Sequence, residues 1–346
     1  MRITAVLCVR NEGAFLLDWL AHHLACEVTD FVVLSNNCQD GTDRLLDTLA
    51  RHIPLTHIRN DGPYDKGGIQ FTGLKLADKA EAVRRADWLL ALDIDEFVNV
   101  HVGARTLPDL IAAVPEATAF TLTWRLFGNA GVERYEDKPV PQVFTRAAPE
   151  ILYWPWRAAM FKTLYRNDGT YRKLGVHRPR SPDKARLDGA HWVDGNGKAL
   201  PQVYRTERIF SHYGRPLYDL AQLNHYPLGA MESYVLKADR GRAVHEGDRL
   251  GMDYWVERNW GDAEDRSILA LSEISSARRA TLAALPDVEA LHDAAVRWRK
   301  TRFDALMTQE SNRALYARLL MAPPARPIPR EQARMLTEYA LRDLSG

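Results

Sequence analysis

Trp88-Leu89-Leu90-Ala91-Leu92-Asp93-Ile94-Asp95-Glu96-Phe97 is an aliphatic run that ends in acid. Such a run reads as a strand buried on both faces, the kind found inside a parallel sheet. Open α/β sheets bind ligands just beyond the carboxyl ends of their strands, where Asp93, Asp95 and Glu96 fall. Asp93 and Asp95 are two residues apart, so on a continuing strand they would share a face. Two carboxylates on one face repel unless a cation lies between them, and Mg²⁺ or Mn²⁺ holding phosphate oxygens is the expected counter-charge. An isolated Asp-x-Asp more often marks a solvated strand end, so the surrounding pattern has to decide.

That pattern alternates. Ile3 to Val9 reads as a first buried strand, with Arg10-Asn11-Glu12-Gly13 as the turn after it. Phe15, Leu16, Trp19, Leu20 and Leu24 then recur at helical spacing. Phe31 to Leu34 is a second strand, broken by the turn formers Ser35 to Gly41, and Thr42 caps a helix carrying Leu45, Leu46 and Leu49. Leu55 to Ile58 is a third strand, a helix is expected over 69–86, and Trp88 opens the fourth strand. Strand and helix alternating in this way predict a mostly parallel sheet flanked by helices. Beyond it, Thr106 to Val114 reads as a short helix and Ala119 to Phe127 as a strand. Residues 128–230 suit short strands and long loops, and a helical extension follows from Met252. The expected domains are 1–250, with a nucleotide-binding half (1–100) and an acceptor-facing half (101–250), and the helical extension 251–346.

The 346 residues carry 46 Lys+Arg against 45 Asp+Glu, a formal charge of +1, so no global basic field for nucleic acid is expected. Cys8, Cys26 and Cys38 form neither a disulfide framework nor a Cys-x-x-Cys metal pair, and a reducing cytoplasm is the expected compartment. The apolar run at 3–9, cut short by Arg10-Asn11-Glu12, is expected to be neither signal peptide nor anchor. No stretch approaches the roughly 18 apolar residues of a membrane span, which leaves only peripheral attachment to the inner membrane face.

Five segments together resemble the family 2-like glycosyltransferases of GT-A fold. Cys8-Val9-Arg10-Asn11-Glu12 with Asp18-Trp19-Leu20-Ala21-His22-His23 is similar to their R-N-E and E-W-x-x-(Y/H)-H segments. Ser35 to Thr42 resembles their D-N-x-S-x-D-G-T turn, and Ala86-Asp87-Trp88 with Asp93 to Phe97 resembles the W-(x)n-D-x-D-E-F block. Trp124 to Gly131 is similar to W-x-x-F-G-x-x-G, and Leu223-Asn224-His225-Tyr226 with Ser233, Lys237 and Arg240-Gly241 to the N-H-Y…S…K…R-G block. The likeness is to the bacterial group that also resembles glycosyltransferase family 92, and it covers about residues 1–245.

The resemblance implies a metal-dependent, inverting glycosyltransferase of polysaccharide biosynthesis. It would move a sugar from a nucleoside-diphosphate donor, UDP first, to a hydroxyl of a glycan or lipid-linked acceptor. Arg10, Asn11 and Glu12 map to the first turn around the nucleotide, and Asn36 and Asp40 to the second. Ser35 stands where many relatives carry an acid, which weakens the expectation of UDP. Asp93 and Asp95 map to the metal and diphosphate motif, Glu96 to its support or the acceptor side, and His225 to a third metal contact with His177 as rival. Lys237 and Arg240, three apart on a helix, and Arg242 could hold phosphate. Inversion needs a carboxylate to take the acceptor proton. Glu133, Glu207 and Asp253 compete for that role. Trp124, Trp154, Trp156 and Trp192 are candidates to stack on sugar rings, though most are expected in the core. The mixed charge of the C-terminal helices favours packing on the core or a homodimer through them over lying on a membrane.

Two other classes compete. A phosphohydrolase of the haloacid-dehalogenase type also has Asp-x-Asp after a strand, but needs it on the first strand with Thr or Val two residues later. Here it follows the fourth, and Phe97 holds that place. A non-catalytic nucleotide-sugar or glycan-binding module would not require Asp93 and Asp95 intact. Nucleotidyltransferases share the sheet, yet Arg10-Asn11-Glu12-Gly13 cannot replace their Gly-rich phosphate loop.

Overall fold

The computed structural model describes residues 1–64, 67–212, 214–240 and 250–343, so Gly241 and Arg242 lie outside the described residues. The four sequence-predicted strands are present as β1 (Ile3–Val9), β2 (Asp30–Ser35), β3 (Leu55–Arg59) and β4 (Trp88–Leu92). They pair in parallel in the order β3-β2-β1-β4. Helices α1 (Gly13–Ala25), α2 (Thr42–Leu49) and α3 (Gly68–Ala77) make the crossovers. The helix expected over 69–86 is two, because the chain turns at Asp78 to Ala80 before a short helix at Glu81–Arg84.

Beyond β4 the sheet continues through the strand Phe161–Arg166, β6 (Ala119–Leu126), the strand Ala221–His225 and β5 (Glu96–Val100). This half is mixed: Phe161–Arg166 runs antiparallel to both neighbours, and Ala221–His225 runs parallel to β6 but antiparallel to β5. The result is the mostly parallel α/β sheet flanked by helices that the sequence pattern predicts.

The acidic motif does not continue a strand. β4 stops at Leu92, and Asp93 to Asp95 form a tight turn in which the Glu96 N–H donates to the Asp93 carbonyl at 3.1 Å. The turn carries the chain from the middle of the sheet to its far edge, where β5 begins. Asp93 therefore faces the strand Phe161–Arg166 and Asp95 faces Ala221–His225. The two aspartates do not share a strand face.

The helical C-terminal segment is built into the same core. Ile268, Leu271, Leu282 and Val288 pack in one hydrophobic cluster with residues of β1, α1 and β6. Helix Ser272–Ala283 lies against α1, and helix Val288–Met307 contacts α1, α2 and the helix Met231–Arg240. Among the described residues no helix is long and apolar enough to cross a membrane.

Two histidines of α1 tie this helix to β5. The His22 ring meets the Val98 carbonyl at 2.7 Å, and His23, whose Nδ1 bonds the Trp19 carbonyl within α1, accepts from the Val98 N–H on Nε2 at 3.5 Å. Burial lowers His22 from its ordinary value to about 4. As pH falls from about 6.5 to 4, the unfolded chain takes up a proton that the folded His22 refuses, so this residue favours unfolding across that window. A proton NMR titration is expected to place its midpoint near 4; a midpoint near 6.5 would show the ring to be solvated.

Candidate active site

Each aspartate of the turn holds a lysine. Lys162, on the central strand Phe161–Arg166, is 1 % exposed and places Nζ 2.8 Å from Asp93 Oδ2 and 3.4 Å from Glu96 Oε2. Glu96 is wholly buried. It accepts from the Asp93 N–H at 2.8 Å and from Trp124 Nε1 at 2.7 Å, so it braces the turn from beneath. Lys237, on the helix Met231–Arg240, places Nζ 2.7 Å from Asp95 Oδ2 and 2.8 Å from the Pro227 carbonyl. The Tyr226 N–H fixes the same turn by donating to the Asp95 carbonyl at 2.8 Å. Burial works against the Asp95 charge, but Lys237 and then His225 outweigh it and hold the carboxyl well below the usual aspartate range. Burial likewise opposes the Lys237 charge, and Asp95 raises its ammonium above the ordinary lysine value.

His225 Nε2 lies 3.7 Å from Asp95 Oδ1, and its ring packs on Trp124 at 4.2 Å between centroids. Burial, ahead of the pull of Asp95, lowers this imidazole below its ordinary value and keeps it neutral. His177 also packs against Trp124, at 5.7 Å between centroids, with its Nδ1 at 3.0 Å from the Phe161 carbonyl, and burial lowers it to about 4.

Two cavities meet at this turn. One of about 640 Å³ lies over the carboxyl ends of β1, β2 and β4, lined among others by Asn36, Asn60, Asp93, Trp124, His177 and His225. The other, of about 570 Å³, extends toward the C-terminal helices and includes Phe15, Tyr135, Phe144, Trp298 and Arg299. Arg10, Glu12, Ile94, Asp95, Lys237 and Arg240 line both. Arg240 pairs with Glu12 and donates to the Arg10 carbonyl at 2.7 Å. Arg258 stacks over Tyr254 with Cζ 3.7 Å from the ring centroid, and both line the first cavity.

A divalent ion at Asp93, Asp95 and His225 does not fit this donor set. Asp93 has Gln70 at 3.3 Å on Oδ1 and Lys162 on Oδ2, and Lys237 holds Asp95 Oδ2. Among the described residues no three His, Cys, Asp or Glu side chains converge to hold a metal. The geometry suits two ammonium groups.

The structure gathers Arg10, Asn11, Glu12, Asn36, Asp93, Asp95, His225, Lys237 and Arg240 around the two cavities. Asp40 is elsewhere: its carboxylate accepts from the Gly13 N–H at 3.0 Å and from Thr42 N–H at 2.9 Å, clamping the first two turns together. Glu133, Glu207 and Asp253 are exposed and line neither cavity. Of the four tryptophans, Trp192 is in the core, and only Trp124 lines a cavity. Lys162, Arg258 and Arg299 are charged groups that sequence reasoning missed.

No family model matches the chain. A glycosyltransferase family 92 protein of Oryza sativa subsp. japonica is 26 % identical over 149 residues, 41 % of this chain and 24 % of the relative. The chain thus spans only a quarter of that protein's length. Among solved structures, S. aureus TarS 1–349 in complex with UDP-GlcNAc aligns at 16 % identity over 88 % of this chain and 84 % of its own, with TM-score 0.34. The galactosyltransferase LgtC with donor and acceptor sugar analogues aligns at 14 % identity over 79 % and 95 %, with TM-score 0.32.

Proposed function

We propose that the chain is a glycosyltransferase that moves a sugar, with inversion, from a nucleoside-diphosphate donor to a hydroxyl of a carbohydrate or lipid-linked acceptor. One observation carries the reading: Asp95 and Lys237, held together at 2.7 Å, stand where two cavities meet beyond the ends of parallel strands. The likeness to a glycosyltransferase family 92 protein supports the same reaction class.

The cavity bearing Asn36, Asn60 and Asp93 takes the nucleotide. Its volume of about 640 Å³ is within the range of small-molecule and cofactor sites. Lys237, Arg240 and Arg258 surround the junction with positive charge, where a departing diphosphate accumulates negative charge. Fixed cations aimed at developing charge are a large source of rate enhancement in a water-poor site. Glu12 and Asp95 line both cavities and replace Glu133, Glu207 and Asp253 as carboxylates placed to take the acceptor's proton.

Titration calorimetry with UDP, GDP and CDP, with and without MnCl₂, tests this. A nucleoside diphosphate is expected to bind, UDP first. MnCl₂ is expected to give no binding heat with the chain alone, because ammonium groups hold the aspartates. Absence of binding by all three nucleotides would remove the reading, and tight Mn²⁺ binding without nucleotide would overturn the assignment of the aspartates to lysine.

A further inference from the structure

The second cavity carries an excess of positive charge that its own residues leave unbalanced. Seven basic and four acidic side chains line it. Every acid already has a base: Arg240 on Glu12, Lys237 on Asp95, Lys138 on Glu136 and Arg302 on Asp239. Arg10, Arg134 and Arg299 remain, and among the described residues none of them has an ion-pair partner.

Arg299 is the informative one. It comes from the helix Val288–Met307, is 6 % exposed, and its Nε meets no acceptor among the described residues. Its guanidinium lies over the Phe15 ring at 4.4 Å and the Tyr135 ring at 4.9 Å. The two aromatic faces offset part of the cost of burying this charge. Taking an ion out of water without a paired and hydrogen-bonded partner costs more than ring contacts return. Glu12, already paired with Arg240, and Asp40 favour the Arg299 charge, but neither lies within ion-pair distance of it, and burial still outweighs them. An anion arriving from the cavity supplies the direct partner. Arg10, whose Nε is likewise buried without an acceptor, lines the same space.

We propose that this cavity binds an anionic sugar, bearing a carboxylate or a phosphate, with the acid group on Arg299 and the ring toward Asp95. Resting on the transferase reading, this makes the acceptor an acidic carbohydrate. The helix Val288–Met307, which the family resemblance does not reach, then selects the acceptor. A guanidinium packed on two adjoining rings leaves N–H groups to donate to a planar or tetrahedral oxyanion.

The test is direct binding of glucuronate, glucose 6-phosphate and glucose to the full chain, measured in parallel with UDP. At least one anionic sugar is expected to bind ten times or more tighter than glucose, and the stronger of the two identifies carboxylate or phosphate as the group recognised. Arg299→Met is expected to remove that preference without changing UDP affinity, and Arg299→Lys to retain part of it. Equal binding of all three sugars, or none by any, overturns the proposal in the wild-type chain without need of a variant. An unchanged preference in Arg299→Met also overturns it. Failure of UDP to bind while anionic sugars do would strike the transferase reading and leave the anion site standing.

Discussion

Asp95→Asn is expected to lower turnover by on the order of 100-fold or more while leaving donor KM within about threefold, since a group misplaced by about 1 Å can cost that much. Asparagine keeps the shape of the side chain, and the turn survives because its anchor from Tyr226 runs to the Asp95 main-chain carbonyl. What disappears is the charge that positions Lys237, whose other partner is the Pro227 carbonyl. The freed ammonium still attracts phosphate, so donor binding persists. It no longer sits at a fixed point relative to the acceptor, and one of the two carboxylates placed to take the acceptor's proton is gone. The signature is a fall confined to kcat. Initial-rate kinetics over a range of donor concentrations would show it. Turnover within tenfold of wild type, or a loss residing wholly in donor KM, would mean that Asp95 is only a binding group.

The first half of the fold was legible because β1, β2 and β4 are buried on both faces and therefore read as aliphatic runs. The geometry of the acidic turn was not. Asp93-Ile94-Asp95 looks like the tip of a strand, and only the sheet order shows that it leaps from β4 to the far edge, giving each aspartate a different neighbour. Lys237 could be flagged from its helical spacing to Arg240. Lys162 could not, because in Phe161-Lys162-Thr163-Leu164-Tyr165-Arg166 it reads as the solvent-facing alternate of a half-exposed strand. That strand is central, and both of its faces are covered. The missing signal was a partner: three carboxylates after β4 against one lysine in a buried strand. Arg299 was hidden differently. Arg297, Lys300 and Arg302 around it make the helix look like an ordinary solvated basic face, and its burial comes from α1 and Tyr135, far away in sequence.

Lys162→Met is expected to destabilise the chain by about 3 kcal/mol, the lower end of the roughly 3–5 kcal/mol for breaking a buried ion pair by removing one partner. The lower end applies because the two carboxylates left behind are not equally trapped. Asp93 is 36 % exposed and can recover water. Glu96 is buried, and burial already pushes it up to about 8 against the pull of Lys162, so it answers the loss by keeping its proton. This gives the variant a pH signature. Between about 4.5 and 8 the unfolded Glu96 is ionised and the folded one protonated in both proteins, so both lose stability alike as pH rises. Above about 8 the wild type stops losing, because folded Glu96 ionises beside Lys162, whereas the variant continues to lose. The gap in urea midpoint between the two is therefore expected to widen from pH 7 to pH 9. Adding Glu96→Gln should close most of that widening, since an amide oxygen can still accept from the Asp93 N–H or Trp124 Nε1 without a charge to bury. A gap that stays constant with pH would mean that Lys162 serves Asp93 alone, and that Glu96 braces the turn independently of it.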